Sequence, residues 1–306
     1  MDRMLRAALL SAAGNRGLAR FVTKHGKRLG AYRFIAGETL DEFMQVVTTT
    51  NASGMRVAAG MLGEDVTDRA AATAVAREYE GVLDRFALAH AKANVALKLT
   101  HLGLAIDRDL AASNVEAVAR HASLSSNFVR IDMEQSAHTD ATIEIYRGLR
   151  ARGIDNAGTV LQAYLYRTEA DLESLLMLSP NLRLVKGAYL EPAAIAYPHK
   201  SDVDKAYARL IEMSLLRGGF TAIATHDDAI IEHSIEFIKA KGVRDGAYEF
   251  QMLYGVRPKL QSDLVRRGHP LRLAVPFGTQ WFPYFMRRLA ERPANVAFFL
   301  SSMWRG

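Results

Sequence analysis

NVALKLTHLGLAIDRDLAASNVEAVARHASLSSNFVRIDME (94–134) carries the alternation that decides the fold. NVALKLT (94–100) reads as a strand, a helical pattern follows around 109–124, and FVRIDM (128–133) reads as a strand again. Strand, helix of ten or more residues, strand is a βαβ unit, and it sets its two strands parallel. The same rhythm extends both ways. Upstream lies the strand MRVAAGML (55–62), then a helix from about Asp68 to Ala91. After 133 come helix 139–152, strand TVLQAY (159–164), helix 168–178, strand LRLVKGAY (182–189) and helix 202–217. Strand FTAIATH (220–226), helix 227–241, strand YEFQML (248–253), helix 257–267 and strand LRLAVPFG (271–278) complete the series. Eight such units fit a closed (β/α)8 barrel of the TIM type, with a doubly wound open sheet as the alternative.

Before residue 50 the pattern is helical, broken near Gly14, Gly17 and Gly30. Thr39 before LDEFMQVV, with Glu42 three residues on, is a capping box. The expected organisation is an N-terminal helical arm (1–50) and a barrel domain (51–306). The start, MDRMLRAALLSAAG, resembles a signal peptide, but its apolar run is short and basic residues continue at helical spacing, so it reads as an amphipathic lead-in. No stretch reaches the roughly 20 apolar residues of a membrane span.

The last stretch, WFPYFMRRLAERPANVAFFLSSM (281–303), reads as a helix with Pro283 in its first turn. Tyr284, Arg287, Arg288 and Glu291 then share one face. Adjacent guanidiniums repel unless an anion neutralises them, and two forks can hold one carboxylate in a fixed pose. A solvated basic face is the structural alternative.

The 306-residue chain is 49% hydrophobic and 24% charged, an ordinary globular balance. A net charge of +6 favours anionic partners. The basic residues are spread over amphipathic helices without an aromatic-basic motif, which argues against nucleic acid. There is no cysteine, which excludes disulfides, thiol catalysis and cysteinyl flavin links. The nine histidines show no H-x-H or H-E-x-x-H spacing, so no metal site is expected. G-x-S-x-G, Walker A and post-strand G-x-G-x-x-G patterns are missing as well.

A barrel places its functional residues at the strand C-termini and in the loops after them. Lys98, Thr100 and His101 end the second strand, and Asp132 and Glu134 the third. Gln162 and Tyr164 lie late on the fourth, while Arg183, Lys186 and Tyr189 run along the fifth. Thr225, His226, Asp227 and Asp228 end the sixth, and Gln251 lies on the seventh. Burying such groups costs several kcal/mol unless they are paired, so a mouth lined with them is a binding site. Each has an alternative. Lys98 or Lys186 could neutralise Asp132 or serve as a Schiff-base lysine of an aldolase. Gln162 and Gln251 could satisfy backbone groups, and Asp227 could be a helix N-cap. A catalytically dead barrel that only binds is a third reading.

RFIAGET (33–39), LGEDVTD (62–68), LKLTHLGL (97–104), RIDME (130–134), LQAYLYR (161–167), LRLVKGAY (182–189), ATHDD (224–228), EFQMLYG (249–255) and YFMRRLAER (284–292) follow in this order. With these stretches the chain resembles the monofunctional bacterial proline dehydrogenases over nearly its whole length. The resemblance implies a distorted barrel with non-covalent FAD at the strand C-termini and the last helix over the mouth. It implies oxidation of L-proline to 1-pyrroline-5-carboxylate, with hydride transfer to flavin N5 and electrons passed to quinone. Arg287, Arg288 and Lys98 would hold the substrate carboxylate, with Tyr189 and Tyr284 around the ring. Asp132 would support Lys98, and Arg183 would lie near flavin N5. Met133, Gln162, Lys186, Gly187, Ala188, Thr225 and His226 match FAD-contacting positions. Glu64 matches a carboxylate that pairs with Arg287 as a gate.

Ala274 departs from the tyrosine of many longer, bifunctional relatives. The chain ends at Gly306 with no aldehyde dehydrogenase or DNA-binding domain, so a separate pyrroline-5-carboxylate dehydrogenase is the expected downstream partner. A cytoplasmic protein in peripheral contact with the inner membrane face fits a quinone acceptor and a basic amphipathic arm.

Overall fold

The structure, a computed structural model, describes residues 31–291, with side chains over 32–288. The expected helices up to Gly30, the continuation of the last helix to Met303 and the side chain of Glu291 lie outside the described residues.

Eight strands close into a barrel in sequence order: β1 (Arg56–Met61), β2 (Ala93–Leu97), β3 (Val129–Ile131), β4 (Ala157–Gln162), β5 (Asn181–Val185), β6 (Phe220–Ala224), β7 (Tyr248–Leu253) and β8 (Leu271–Phe277). Every pairing is parallel, including β1 with β8, which closes the ring and excludes the open sheet. Among the described residues, one α-helix precedes β1, namely α1 (Leu40–Ala52). One follows each strand: α2 (Arg69–Leu88), α3 (Arg108–Ser123), α4 (Thr139–Ala151), α5 (Thr168–Leu176), α6 (Lys200–Arg217), α7 (Asp228–Lys241), α8 (Pro258–Arg266) and α9 (Phe282–Glu291).

The helices form because their apolar residues recur at three- and four-residue spacing and bury one face. In α2 that face is Ala72, Val75, Ala76, Tyr79, Val82, Leu83 and Phe86. The capping box on α1 is present: Thr39 Oγ1 accepts from Glu42 N at 3.2 Å, and Glu42 Oε2 accepts from Thr39 N at 3.3 Å. α1 joins the barrel's own core, since Phe43 stacks on Phe277 with ring centroids 4.3 Å apart.

Several strands end earlier than their composition suggests. β2 stops at Leu97 rather than Thr100, and β5 at Val185 rather than Tyr189. Lys98, Thr100, His101, Tyr164, Lys186 and Tyr189 therefore sit in loops beyond the strands. The physical reason is burial without pairing. Leu99 and Leu102 remain inside the protein after β2 has ended, so the sequence stays apolar and strand-like past the end of the strand.

Candidate active site

α9 begins beyond β8 and is held there by residues from before the barrel. Trp281, Phe282, Phe285 and Met286 pack with Phe34 and Ile35, all buried. Trp281 Nε1 donates to Glu38 Oε1 at 2.8 Å. Ala36 N donates to Pro276 O at 2.8 Å, and Gly278 N to Gly37 O at 3.0 Å. These contacts fix the face that carries Tyr284, Arg287 and Arg288.

Glu64, in the loop after β1, bridges two cations. Its Oε1 accepts from Arg287 Nη1 at 2.9 Å, and its Oε2 accepts from Lys98 Nζ. Burial opposes ionisation, but the charges of Lys98 and Arg287 hold the Glu64 carboxyl at about 2, so it is a carboxylate at any physiological pH. Arg288 is buried, with its guanidinium carbon 4.9 Å from the centroid of the Tyr284 ring one turn earlier. A cation over an aromatic face is favourable and keeps the fork in one plane.

Asp132 does not support Lys98 as expected. Arg183 Nη1 donates to Asp132 Oδ1 at 2.6 Å, and Arg183 Nε to Gln251 Oε1 at 2.6 Å. The topology explains this: β1 and β2 are neighbours, so the loops that follow them bring Glu64 to Lys98. Asp132 instead meets the buried Arg183 of β5. Neither Lys98 nor Lys186 neutralises Asp132. Lys186 pairs with Asp204 and with Asp227, the latter at 2.7 Å, and Lys200 joins the same two carboxylates. Asp227 also caps α7, accepting from Ala229 N at 3.2 Å. Gln162 Nε2 donates to Glu134 O at 2.9 Å, and His226 Nε2 accepts from Leu253 N at 2.9 Å. Tyr189 is half-buried; burial, then the charge of Glu134, raises its phenol pKa, so it stays neutral. Met133 is buried and Ala188 exposed.

A family model described as proline dehydrogenase matches residues 43–300. The chain belongs to the proline dehydrogenase family. Proline dehydrogenase 1 of Bacillus subtilis (strain 168) is 41% identical over 300 residues, 98% of this chain and 99% of its own length. The proline dehydrogenase of Deinococcus radiodurans is 38% identical over 310 residues, 100% of both chains. Among solved structures, proline utilization A from Bdellovibrio bacteriovorus, inactivated by N-propargylglycine, is similar in fold. It has a TM-score of 0.81 at 24% identity, over 89% of this chain and 34% of that one.

Proline dehydrogenases of this family imply a flavin, and the residues present fit one. Gly187 follows β5 with φ +115°, and a Cβ there would stand 2.3 Å from Tyr164 Cδ1, so only glycine lets the backbone lie against that ring. The Tyr164 hydroxyl is buried and has no hydrogen-bond partner among the described residues. Such an orphan is costly unless a bound polar group satisfies it. Gln162, Lys186, Thr225 and His226 lie at or just beyond the ends of β4, β5 and β6, and Arg183 lies within β5. Among the described residues there is no cluster of metal-ligating side chains.

Sequence reasoning missed Glu134 and Glu191 as scaffolding. Glu134 accepts from Thr100 N at 3.0 Å and Thr100 Oγ1 at 2.5 Å, tying the loop after β3 to that after β2. Glu191 accepts from Ser136 N at 2.7 Å and Ser136 Oγ at 2.6 Å, tying the loop that carries Tyr189 to that after β3. Only the closed ring shows these pairs.

His101 gives the site a pH signature. It is 4% exposed, and a Cβ on Gly63 would meet its Nε2 at 2.2 Å. Burial, then the Lys98 charge, lowers its pKa from 6.5 to about 4. The fold therefore binds neutral imidazole. Its contribution, about 3 kcal/mol, is complete above pH 6.5 and is lost as pH falls through the folded value near 4. Urea unfolding at about pH 7 and pH 4.5 should show a smaller pH dependence in His101→Gln than in the wild type.

Proposed function

We propose that this protein oxidises L-proline to 1-pyrroline-5-carboxylate with non-covalently bound FAD, and that the electrons pass on to quinone. The observation that carries the reading is the mouth of the barrel: Lys98 and Arg287 already grip a carboxylate, that of Glu64, beside the buried Arg288. A proline carboxylate is the same chemical group and takes the same donors.

In this reading Arg287, Arg288 and Lys98 bind the substrate carboxylate and fix its pose, which is much of what a hydride transfer requires. Tyr189 and Tyr284 pack about the pyrrolidine ring. The ring carbon next to nitrogen gives up a hydride and the nitrogen loses a proton, leaving the C=N bond of the product. Bound FAD supplies the hydride acceptor, at flavin N5. Arg183 would stand near that acceptor and favour its reduced, electron-rich form, and Asp132 would hold Arg183 in place. Gln162, Lys186, Gly187, Ala188, Thr225, His226 and Met133 would hold the cofactor. Glu64 would act as a gate: its pair with Arg287 joins the loop after β1 to α9 across the bound substrate. Glu64→Gln should raise KM for L-proline about threefold to tenfold with little change in flavin content, because a partly exposed ion pair is worth about 1 kcal/mol. A steady-state KM equal to that of the wild type would remove the gate.

A lysine-dependent aldolase is the less supported reading, because Lys98 and Lys186 both lie in ion pairs rather than in the apolar pocket that activates a Schiff-base lysine. The visible spectrum of the purified protein, before and after anaerobic L-proline, separates the two. Flavin bands that bleach on addition support the proposal; a colourless protein that cannot be reconstituted with FAD overturns it. Quinone use implies contact with a membrane surface. No helix among the described residues is long and apolar enough to cross one. Contact would be peripheral, and failure of the full chain to sediment with anionic liposomes would sink it.

A further inference from the structure

Arg183 is held from the barrel interior by a chain of side chains that the mechanism above does not use. Gln251 accepts from Arg183 Nε through Oε1, and its Nε2 donates to Glu249 Oε1 at 2.7 Å. Glu249 Oε1 also accepts from Arg272 Nε at 2.7 Å, and its Oε2 from Arg272 Nη2 at 3.2 Å and from Arg56 Nη1 at 3.5 Å. Arg272 Nη1 continues to Val57 O at 2.9 Å and Asn94 Oδ1 at 3.2 Å. Glu249 and Gln251 are both buried.

The chemistry of the two ends leaves Gln251 one orientation. A carboxylate only accepts, so the amide NH2 must face Glu249. A guanidinium only donates, so the amide oxygen must face Arg183. We propose that Glu249, anchored by Arg272, is a positioning residue for Arg183: it locks the Gln251 amide and thereby aims the Arg183 guanidinium at the barrel mouth. The inference rests on the reading that a flavin binds there. Burial alone would raise the Glu249 pKa, but the charge of Arg272 outweighs it and lowers the value, so the lock is engaged at neutral pH. Arg183 then has two fixed partners, Asp132 on Nη1 and Gln251 on Nε. A cation so clamped presents its charge in one place, which is the condition for preorganised stabilisation of a developing negative charge.

Glu249→Gln tests this. It keeps the size of the side chain but replaces a charged acceptor by a neutral amide, so the bond that holds the Gln251 NH2 weakens and Arg183 is left to orient the Gln251 amide by itself. Four quantities are read: flavin content, KM for L-proline, kcat, and the midpoint potential of the bound flavin in an anaerobic dye-coupled titration. The expected result is flavin content and KM within about twofold of the wild type, kcat about tenfold lower, and a more negative potential. A merely structural role would move flavin content or stability and leave the potential alone. Glu249→Gln leaves Arg272 without its carboxylate, so the paired variant Glu249→Met with Arg272→Met is the control for folding. It removes both buried charges together and should show the same shift in potential. An unchanged potential and kcat in both variants, with a wild type that bleaches on L-proline, overturns the role of Glu249 alone. A wild type that takes up no flavin overturns the functional reading and this inference with it.

Discussion

Replacing Arg183 by methionine should lower kcat for L-proline oxidation about 100- to 1000-fold while KM changes little. The residue is buried on β5, and its guanidinium donates to both Asp132 and Gln251. Methionine fills similar space but removes a charge placed where negative charge would develop, and loss of one such donor typically costs that much in rate. It should also cost stability. Asp132, 30% exposed, can turn to water, whereas the buried Gln251 loses the donor to its Oε1. Breaking a fully buried pair costs about 3–5 kcal/mol, so a loss near or below the low end is expected here. Lysine at this position restores charge but cannot reproduce both bonds of the fork, and its rate should fall between the two. The check is anaerobic stopped-flow reduction of the bound flavin by L-proline. A reduction rate within about fivefold of the wild type would show that Arg183 is structural only.

Arg288→Met should do the opposite to the kinetic constants: KM for L-proline rises about 100-fold, and flavin absorbance per protein stays at the wild-type level. A charge-assisted hydrogen bond to a carboxylate is worth about 1.5–3 kcal/mol, and each 1.4 kcal/mol is tenfold in affinity. Arg288 is the more buried of the adjacent pair. Its side chain is shielded over Tyr284, whereas the Arg287 side chain is 31% exposed and already shared with Glu64. The same substitution at Arg287 should therefore raise KM less, and it should be partly mimicked by Glu64→Gln. Steady-state kinetics on the three variants settles the order. A normal KM in Arg288→Met would refute the carboxylate clamp.

Much of this arrangement was legible in the residues. Eight strand patterns alternating with helices gave a parallel α/β fold that fits a barrel, because hydrophobic period is a local property that survives without the fold; the pairing of β1 with β8 decided for closure. The capping box at Thr39 and Glu42 is local in the same way. The arginine pair was readable as needing a neutralising group, and Glu64 supplies one to Arg287. The partner of each charge was harder. Asp132 was expected beside Lys98 and is bound to Arg183 instead. Glu249 had a readable signal, since YEFQML puts Glu249 and Gln251 on one face of a strand, two apart. Its meaning needed Arg272, which the register sets opposite Gln251 on β8.

The sequence by itself determined the class of fold, the order of the strands and the residue types gathered at their C-terminal ends, since each follows from periodicity and short-range chemistry. The tertiary structure alone decided which charge meets which, where each strand stops, and that residues 34–38 hold the last helix in place. Those contacts join positions tens to hundreds of residues apart, such as Glu38 with Trp281 and Glu64 with Arg287. No local pattern specifies them. They follow from closing the ring, which brings the segment before β1, the loops after neighbouring strands and the helix after β8 to one rim.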